Sequence, residues 1–211
     1  MTGEHDSGLL LTFGDGRPPA RDLVEVNAAL APIGMRIWPL DLSGLPAAMA
    51  ALLERAQLGE AERLALRDHL LLPRRRLLEM VSEAGRQPHF PDGGALETRV
   101  VTHGIDYPQL YLVAAGQDFS RFDRYHRNLS AEGAGTDEIF QFVSGGGLKL
   151  YQRLPDDIEA VLTLECPAPD RGWCGTFDGG RPHIGSVSSA RPGSKILVQI
   201  IGPEAWEMRY D

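Results

Sequence analysis

The chain has 211 residues and a formal net charge of −8, with 43% hydrophobic and 24% charged residues. These proportions are those of an ordinary globular protein that can bury a real core, and they exclude a disordered chain. Arginine supplies almost all the cations, Lys149 and Lys195 being the only lysines, so no basic stripe exists to neutralise phosphates and a nucleic-acid partner is not expected.

The N-terminus, MTGEHDSGLLLTFGDG, carries acidic residues and no basic leader, and its apolar run Leu9–Leu11 is too short for a signal peptide. Nothing approaches the ~18 apolar residues of a membrane span. A cytoplasmic protein is the expectation, and there Cys166 and Cys174 are expected as free thiols.

From Arg21 to about Gly85 the texture is helical. Leu23, Val26, Ala29 and Leu30 fall on one helical face, and Pro32 and Gly34 end the pattern. MRIWPLDL, from Met35, reads as a short extended piece. Ser43 and Pro46 then offer a helix start, Gly59 divides two further helices, and Pro73 introduces a last one, RRRLLEMVSEAG. Its three arginines predict a solvated face or one that forms salt bridges between subunits. The segment from Arg86 to Gly94, rich in Pro and Gly, reads as a turn into a new unit.

Beyond Leu96 the chain breaks into short apolar runs separated by turn residues: LETRVVTH, QLYLVAAG, FSRFDRYHRN, EIFQFVSG, LKLYQRL, EAVLTLEC, GWCGTFDG, KILVQIIG and AWEMRYD. Eight or nine strands at this spacing predict a sandwich or small barrel. The fold class is therefore mainly β with α: an N-terminal helical region over 1–94, packing on the barrel or on a partner subunit, and a β-barrel domain over 95–211.

EIFQFVSG carries the chemistry. Its alternation puts Glu138, Phe140 and Phe142 on one face and Ile139, Gln141 and Val143 on the other. A carboxylate pointing inward with two phenylalanines needs a partner, because an isolated buried charge is costly. His126 stands on the preceding strand, joined through the small, polar segment NLSAEGAGTD, and a hairpin could bring imidazole and carboxylate together. That segment, with Gly133 and Gly135, could also serve as a lid. His183 sits in GGRPHIG, ahead of the last long apolar strand.

These two segments resemble the paired motifs of the cupin superfamily. Glu138 and Gly145 are similar to the glutamate and strand-turning glycine of the first motif, seven positions apart. Gly180, Pro182 and His183 are similar to the glycine, proline and histidine of the second. The resemblance implies a double-stranded β-helix barrel in the C-terminal half, a frequent homodimer, and one divalent metal on His126, Glu138 and His183. Iron comes first, with Mn, Ni, Cu or Zn as the other metals. The first motif usually has a second histidine two residues after the first; Asn128 stands there, and the loop to Glu138 is longer. Two histidines and one carboxylate still make a facial set suited to non-haem Fe(II).

The function this implies is a metal-dependent small-molecule enzyme, with an Fe(II) dioxygenase as the leading case. Arg181 would orient an anionic substrate and Tyr125 would donate a hydrogen bond. Other readings are a metal-free ligand-binding or sensor protein, in which an arginine neutralises Glu138, and an isomerase with histidine as general base, paired to an aspartate and faced by a tyrosine. For His126 the plainer role is a hydrogen bond to an acid such as Asp123; for Glu138 it is a salt bridge with Arg181 or Arg127. His69 and His89 have no evident link to the site, and His103 could replace the missing ligand. SGGGLKLY is not followed by the G-K-S/T of a phosphate loop and reads as a turn.

Overall fold

In the computed structural model the described residues are 8–92, 94–97, 110–112, 123–186, 189–191 and 193–211. Four helices and twelve strands form within them. The helices are α1 (Leu23–Leu30), α2 (Ala47–Glu54), α3 (Glu60–Leu70) and α4 (Arg74–Glu83). The strands are β1 (Leu9–Phe13), β2 (Arg36–Asp41), β3 (Ala95–Glu97), β4 (Leu110–Leu112), β5 (His126–Leu129) and β6 (Asp137–Ser144), then β7 (Gly146–Arg153), β8 (Glu159–Glu165), β9 (Arg171–Asp178), β10 (His183–Ser186), β11 (Lys195–Gly202) and β12 (Glu207–Tyr210).

The strands build two antiparallel sheets. The first runs β1-β8-β7-β10-β5-β12; the second runs β2-β9-β6-β11-β3, with β4 also on β11. The architecture is that of two antiparallel sheets enclosing a core, flanked by a few helices. Both sheets take one strand from the first 94 residues: β1 pairs with β8 and β2 with β9. The N-terminal region is thus helical only in part, and the barrel does not begin at residue 95. LLLTF is a five-residue run whose partner lies some 150 residues away, so nothing local announces it as a strand.

The main core lies between the sheets. Leu9, Leu11, Leu148, Leu150, Leu162 and Leu164 face Phe140, Phe142, Trp173, Phe177 and Ile196 across it. Each of these large side chains contributes roughly 1.5–3 kcal/mol on burial. Gly145, at φ 95, turns β6 into β7 in the left-handed region, where a Cβ would lie 2.0 Å from Ser194 Oγ.

Helices α2, α3 and α4 cover the outer face of the second sheet. Leu52, Leu53, Leu66 and Leu70 pack with Val143 and Leu197, and Leu77, Met80 and Val81 pack with Ile139, Cys174 and Ile201. Polar side chains rooted in the sheet take up carbonyls that the ends of these helices leave without intrahelical partners. Lys195 Nζ donates to Leu53 O at 2.8 Å and Arg55 O at 2.7 Å, at the end of α2. Gln141 Nε2 donates to Leu70 O at 2.7 Å, and Gln199 Nε2 to Leu72 O at 3.0 Å.

At the start of α1, Asp22 accepts the Glu25 N–H at 2.9 Å and caps the helix. Asn27 of α1 clasps the β2 edge, accepting from Ile37 N at 2.8 Å and donating to Ile37 O at 2.9 Å. Of the arginines opening α4, Arg75 bonds Glu79, Arg76 bonds Glu83 and Arg74 bonds the carbonyls of Phe90 and Gly94, all within the chain. Both cysteines are free thiols, and burial raises Cys174 to about 11 and Cys166 to about 12. Among the described residues no helix is long and apolar enough to cross a membrane.

Candidate metal and substrate site

The site straddles the two sheets. In β5 the alternation turns His126 and Asn128 inward while Arg127 and Leu129 remain partly exposed. β10 runs beside it with His183 directly opposite His126, and on its other flank His183 is opposite Gln152 of β7. Gln152 has the same parity as Leu148 and Leu150, which lie in the core between the sheets. His126, His183 and Gln152 therefore form one transverse row on the inner face of the first sheet. They are 3%, 3% and 2% exposed, and Glu138 on the second sheet is 6% exposed.

The imidazole rings of His126 and His183 lie 4.3 Å apart between centroids, and that of His183 lies 4.9 Å from the Phe177 ring. Each histidine is tied in the same way. His126 Nδ1 donates to Arg124 O at 2.9 Å and His183 Nδ1 to Arg181 O at 2.9 Å, which in the neutral ring leaves the lone pair on Nε2. Burial pushes the His183 imidazole down to about 4, so the ring is neutral over the physiological range. Its Nε2 is 3.8 Å from Glu138 Oε1.

Among the described residues Glu138 is paired with an amide and with no guanidinium. Asn128 Nδ2 donates to Glu138 Oε1 at 2.5 Å and Thr136 Oγ1 donates to the same oxygen at 3.4 Å. Burial raises the carboxyl above its usual value, against the pull of the Asn128 amide and His126. Gly179 allows this packing: a Cβ there would lie 2.4 Å from Glu138 Oε1, and its carbonyl accepts the Asn128 N–H at 2.7 Å.

The hairpin expected between His126 and Glu138 does not form, because β5 and β6 belong to different sheets; His183 stands between the two, against the His126 ring and 3.8 Å from Glu138 Oε1. The connecting segment is closed on itself, Ser130 N–H donating to Ala134 O at 2.8 Å and Ser130 Oγ accepting from the Glu132 and Ala134 N–H groups. The plainer partners considered for Glu138 are engaged elsewhere. Arg127 pairs with Asp211, and Arg181 donates to Arg153 O at 3.1 Å.

Tyr125 lies away from the row. Its hydroxyl donates to Glu159 at 2.8 Å, Arg153 stacks over its ring, and burial with the Glu159 bond raises its pKa. His103 lies outside the described residues, as do 98–103 of LETRVVTH, 109 and 113–116 of QLYLVAAG and 119–122 of FSRFDRYHRN. His69 bonds Ala65 O on α3. His89 pairs with Asp178 at 3.0 Å; the alternation of β9 turns Asp178 to the opposite face from Phe177, so the pair sits on the outer face of the second sheet. Sequence reasoning missed Gln152 and Tyr210, whose ring is 6.2 Å from His126. Both sit in register with a site histidine, and pairing between distant strands is not written in either local sequence.

Among the described residues no group of three or more His, Cys, Asp or Glu side chains stands already gathered as a metal-holding cluster. The contacts are two adjoining pairs, His126 with His183 and His183 with Glu138. The donor chemistry nonetheless suits a divalent ion: two imidazoles with fixed tautomers and one carboxylate.

No family model matches the chain, and no curated protein matches it in sequence. Among solved structures the chain is similar to acireductone dioxygenase from Bacillus anthracis with a cadmium ion in its active centre. The likeness has a TM-score of 0.55 at 12% identity and covers 95% of this chain and 97% of that one. The shared fold is that of a cupin-like β-barrel, and it extends through the N-terminal strands and helices, beyond the C-terminal half that the motifs alone reach.

Proposed function

We propose that the protein is a small-molecule enzyme of cupin type that holds one divalent metal on His126, His183 and Glu138, with an Fe(II) dioxygenase acting on an anionic substrate as the leading case. The observation that carries the proposal is the convergence, within one buried site, of two imidazoles anchored through Nδ1 with the carboxylate of Glu138, whose Oε1 is 3.8 Å from His183 Nε2. The metal of the similar solved structure, a cadmium ion in the active centre of a dioxygenase, supports the same reading.

The ion would serve as Lewis acid or oxygen-activating centre. The chain's own residues prepare the ground. The carbonyls of Arg124 and Arg181 hold the imidazole tautomers. Asn128 bonds Glu138 Oε1 and orients the carboxyl. Phe140 and Phe177 supply a dry wall against the site. Two neutral imidazoles and one carboxylate leave a divalent ion with net positive charge, which favours an anionic substrate. The proposal extends to a homodimer in the cytoplasm, the state common among cupins.

A metal-free binding protein would call for an arginine on Glu138, and among the described residues its partners are Asn128, Thr136 and His183. An isomerase with a His–Asp base would call for an aspartate on a site histidine, and the His183 Nδ1 bonds a backbone carbonyl.

Elemental analysis of protein purified without an affinity tag, wild type beside His183→Ala, tests the proposal. The expected result is about one divalent metal per chain in the wild type and its loss in a variant that keeps the wild-type circular dichroism. Absence of metal from both proteins would overturn it.

A further inference from the structure

Buried polar atoms in native proteins are almost always hydrogen-bonded, and one left over calls for a water, an ion or a ligand. Among the buried side chains three such atoms surround the histidine row. Gln152 Nε2, Asn128 Oδ1 and Arg181 Nε are each buried without a hydrogen-bond partner among the described residues. Gln152 is 2% exposed, lies opposite His183, and points between the sheets by its parity with Leu148 and Leu150. Arg181 is fixed beside it, since its guanidinium donates to the carbonyl of Arg153, the residue after Gln152. On the other flank Asn128 spends its amide N–H on Glu138 and keeps its oxygen unpaired.

We propose that these residues form the substrate subsite, with Gln152 as its principal specificity determinant, and that the ligand is a small 2-hydroxycarboxylate. A carboxylate accepts from two donors, which Gln152 Nε2 and Arg181 Nε supply. A neighbouring hydroxyl donates to one acceptor, which Asn128 Oδ1 supplies. The complement is two donors and one acceptor beside the histidine row, and a plain carboxylate leaves the acceptor unsatisfied. The unpaired group then costs affinity, which is how buried hydrogen-bonding sites discriminate.

This inference rests on the reading of the site as a small-molecule centre but not on the metal. Calorimetric titration of glycolate, lactate and propionate into the full chain, as purified and after dialysis against a chelator, tests it, with metal content measured on every sample. Lactate is expected to bind about tenfold or more tightly than propionate, and Gln152→Met to weaken lactate by about tenfold or more with metal content unchanged. Gln152→Glu, which keeps the shape and replaces the donor, is the companion variant and is expected to lose lactate binding as well.

Equal affinity of lactate and propionate, or of wild type and both variants, would overturn the subsite and leave Gln152 bonded to water. Loss of metal in Gln152→Met would overturn it too, by making the residue a support of the metal centre. Binding of lactate that depends on Gln152 in a protein that holds no metal would uphold the subsite and remove the metalloenzyme reading.

Discussion

The two sheets bear different loads. In the first, β7 and β8 alternate strictly between buried and half-exposed residues, so one face packs and the other meets solvent. In the second, β6, β9 and β11 are buried on nearly every residue, because helices cover the outer face. Alternating burial is therefore the signature of a sheet covered on one side, and the burial of both faces of β6 marks a sheet covered on both. The candidate site takes its imidazoles from the first kind of sheet and its carboxylate from the second.

The largest expected effect lies on the doubly covered sheet. Arg86 pairs with the fully buried Asp137, which also accepts the His89 N–H at 2.8 Å. Arg86→Met leaves a buried carboxylate without its cation and is expected to destabilise the fold by about 3–5 kcal/mol, read by urea denaturation. A loss no greater than that of an outward-facing residue on the first sheet would break the contrast between the sheets.

Lys195 sharpens it. The side chain is wholly buried and donates to three backbone carbonyls, those of Leu53, Arg55 and Gly193. Lys195→Met keeps the bulk and strands the carbonyls at the end of α2, at an expected cost of about 2–4 kcal/mol by thermal unfolding. Exchange protection should fall first in α2, since that helix loses its tether.

The smallest effect belongs at the half-exposed edge of the same face. The hydrogen bond to Asp178 raises the His89 pKa. Its contribution is full below the unfolded value of about 6.5 and is lost as pH rises through the folded value. His89→Gln should thus be less stable than wild type by under about 1 kcal/mol at pH 5.5, and the difference should close by about pH 9. A difference that widened with pH would show that the histidine acts through packing, not charge.

Much of the site was legible because its signals are local. The period of two in EIFQFVSG turned Glu138 inward with Phe140 and Phe142, and the core contains both phenylalanines. Gly145 turns its strand as the spacing required. Pro46 and Gly59 stand as the N-cap residues of α2 and α3. The rest depends on pairing between distant strands. Gln152 reads as an ordinary polar residue in LKLYQRL until β10 is laid beside it, and β10 itself is four residues with two apolar-neutral positions, Gly185 and Ser186. Tyr125, adjacent to His126, looked close to the chemistry, yet the pleat turns neighbours to opposite faces and Glu159 claims its hydroxyl.

The recruitment of β1 and β2 into the sheets bears on how the gene can be divided. A fragment beginning at Ala95 would lack the partners of β8 and β9, leaving two rows of unpaired backbone groups as templates for intermolecular pairing. The helical face of the second sheet would be bared as well. The segments of the C-terminal half that carry the candidate site are thus not a portable module, since β1 and β2 of the first 94 residues complete the sheets that hold them.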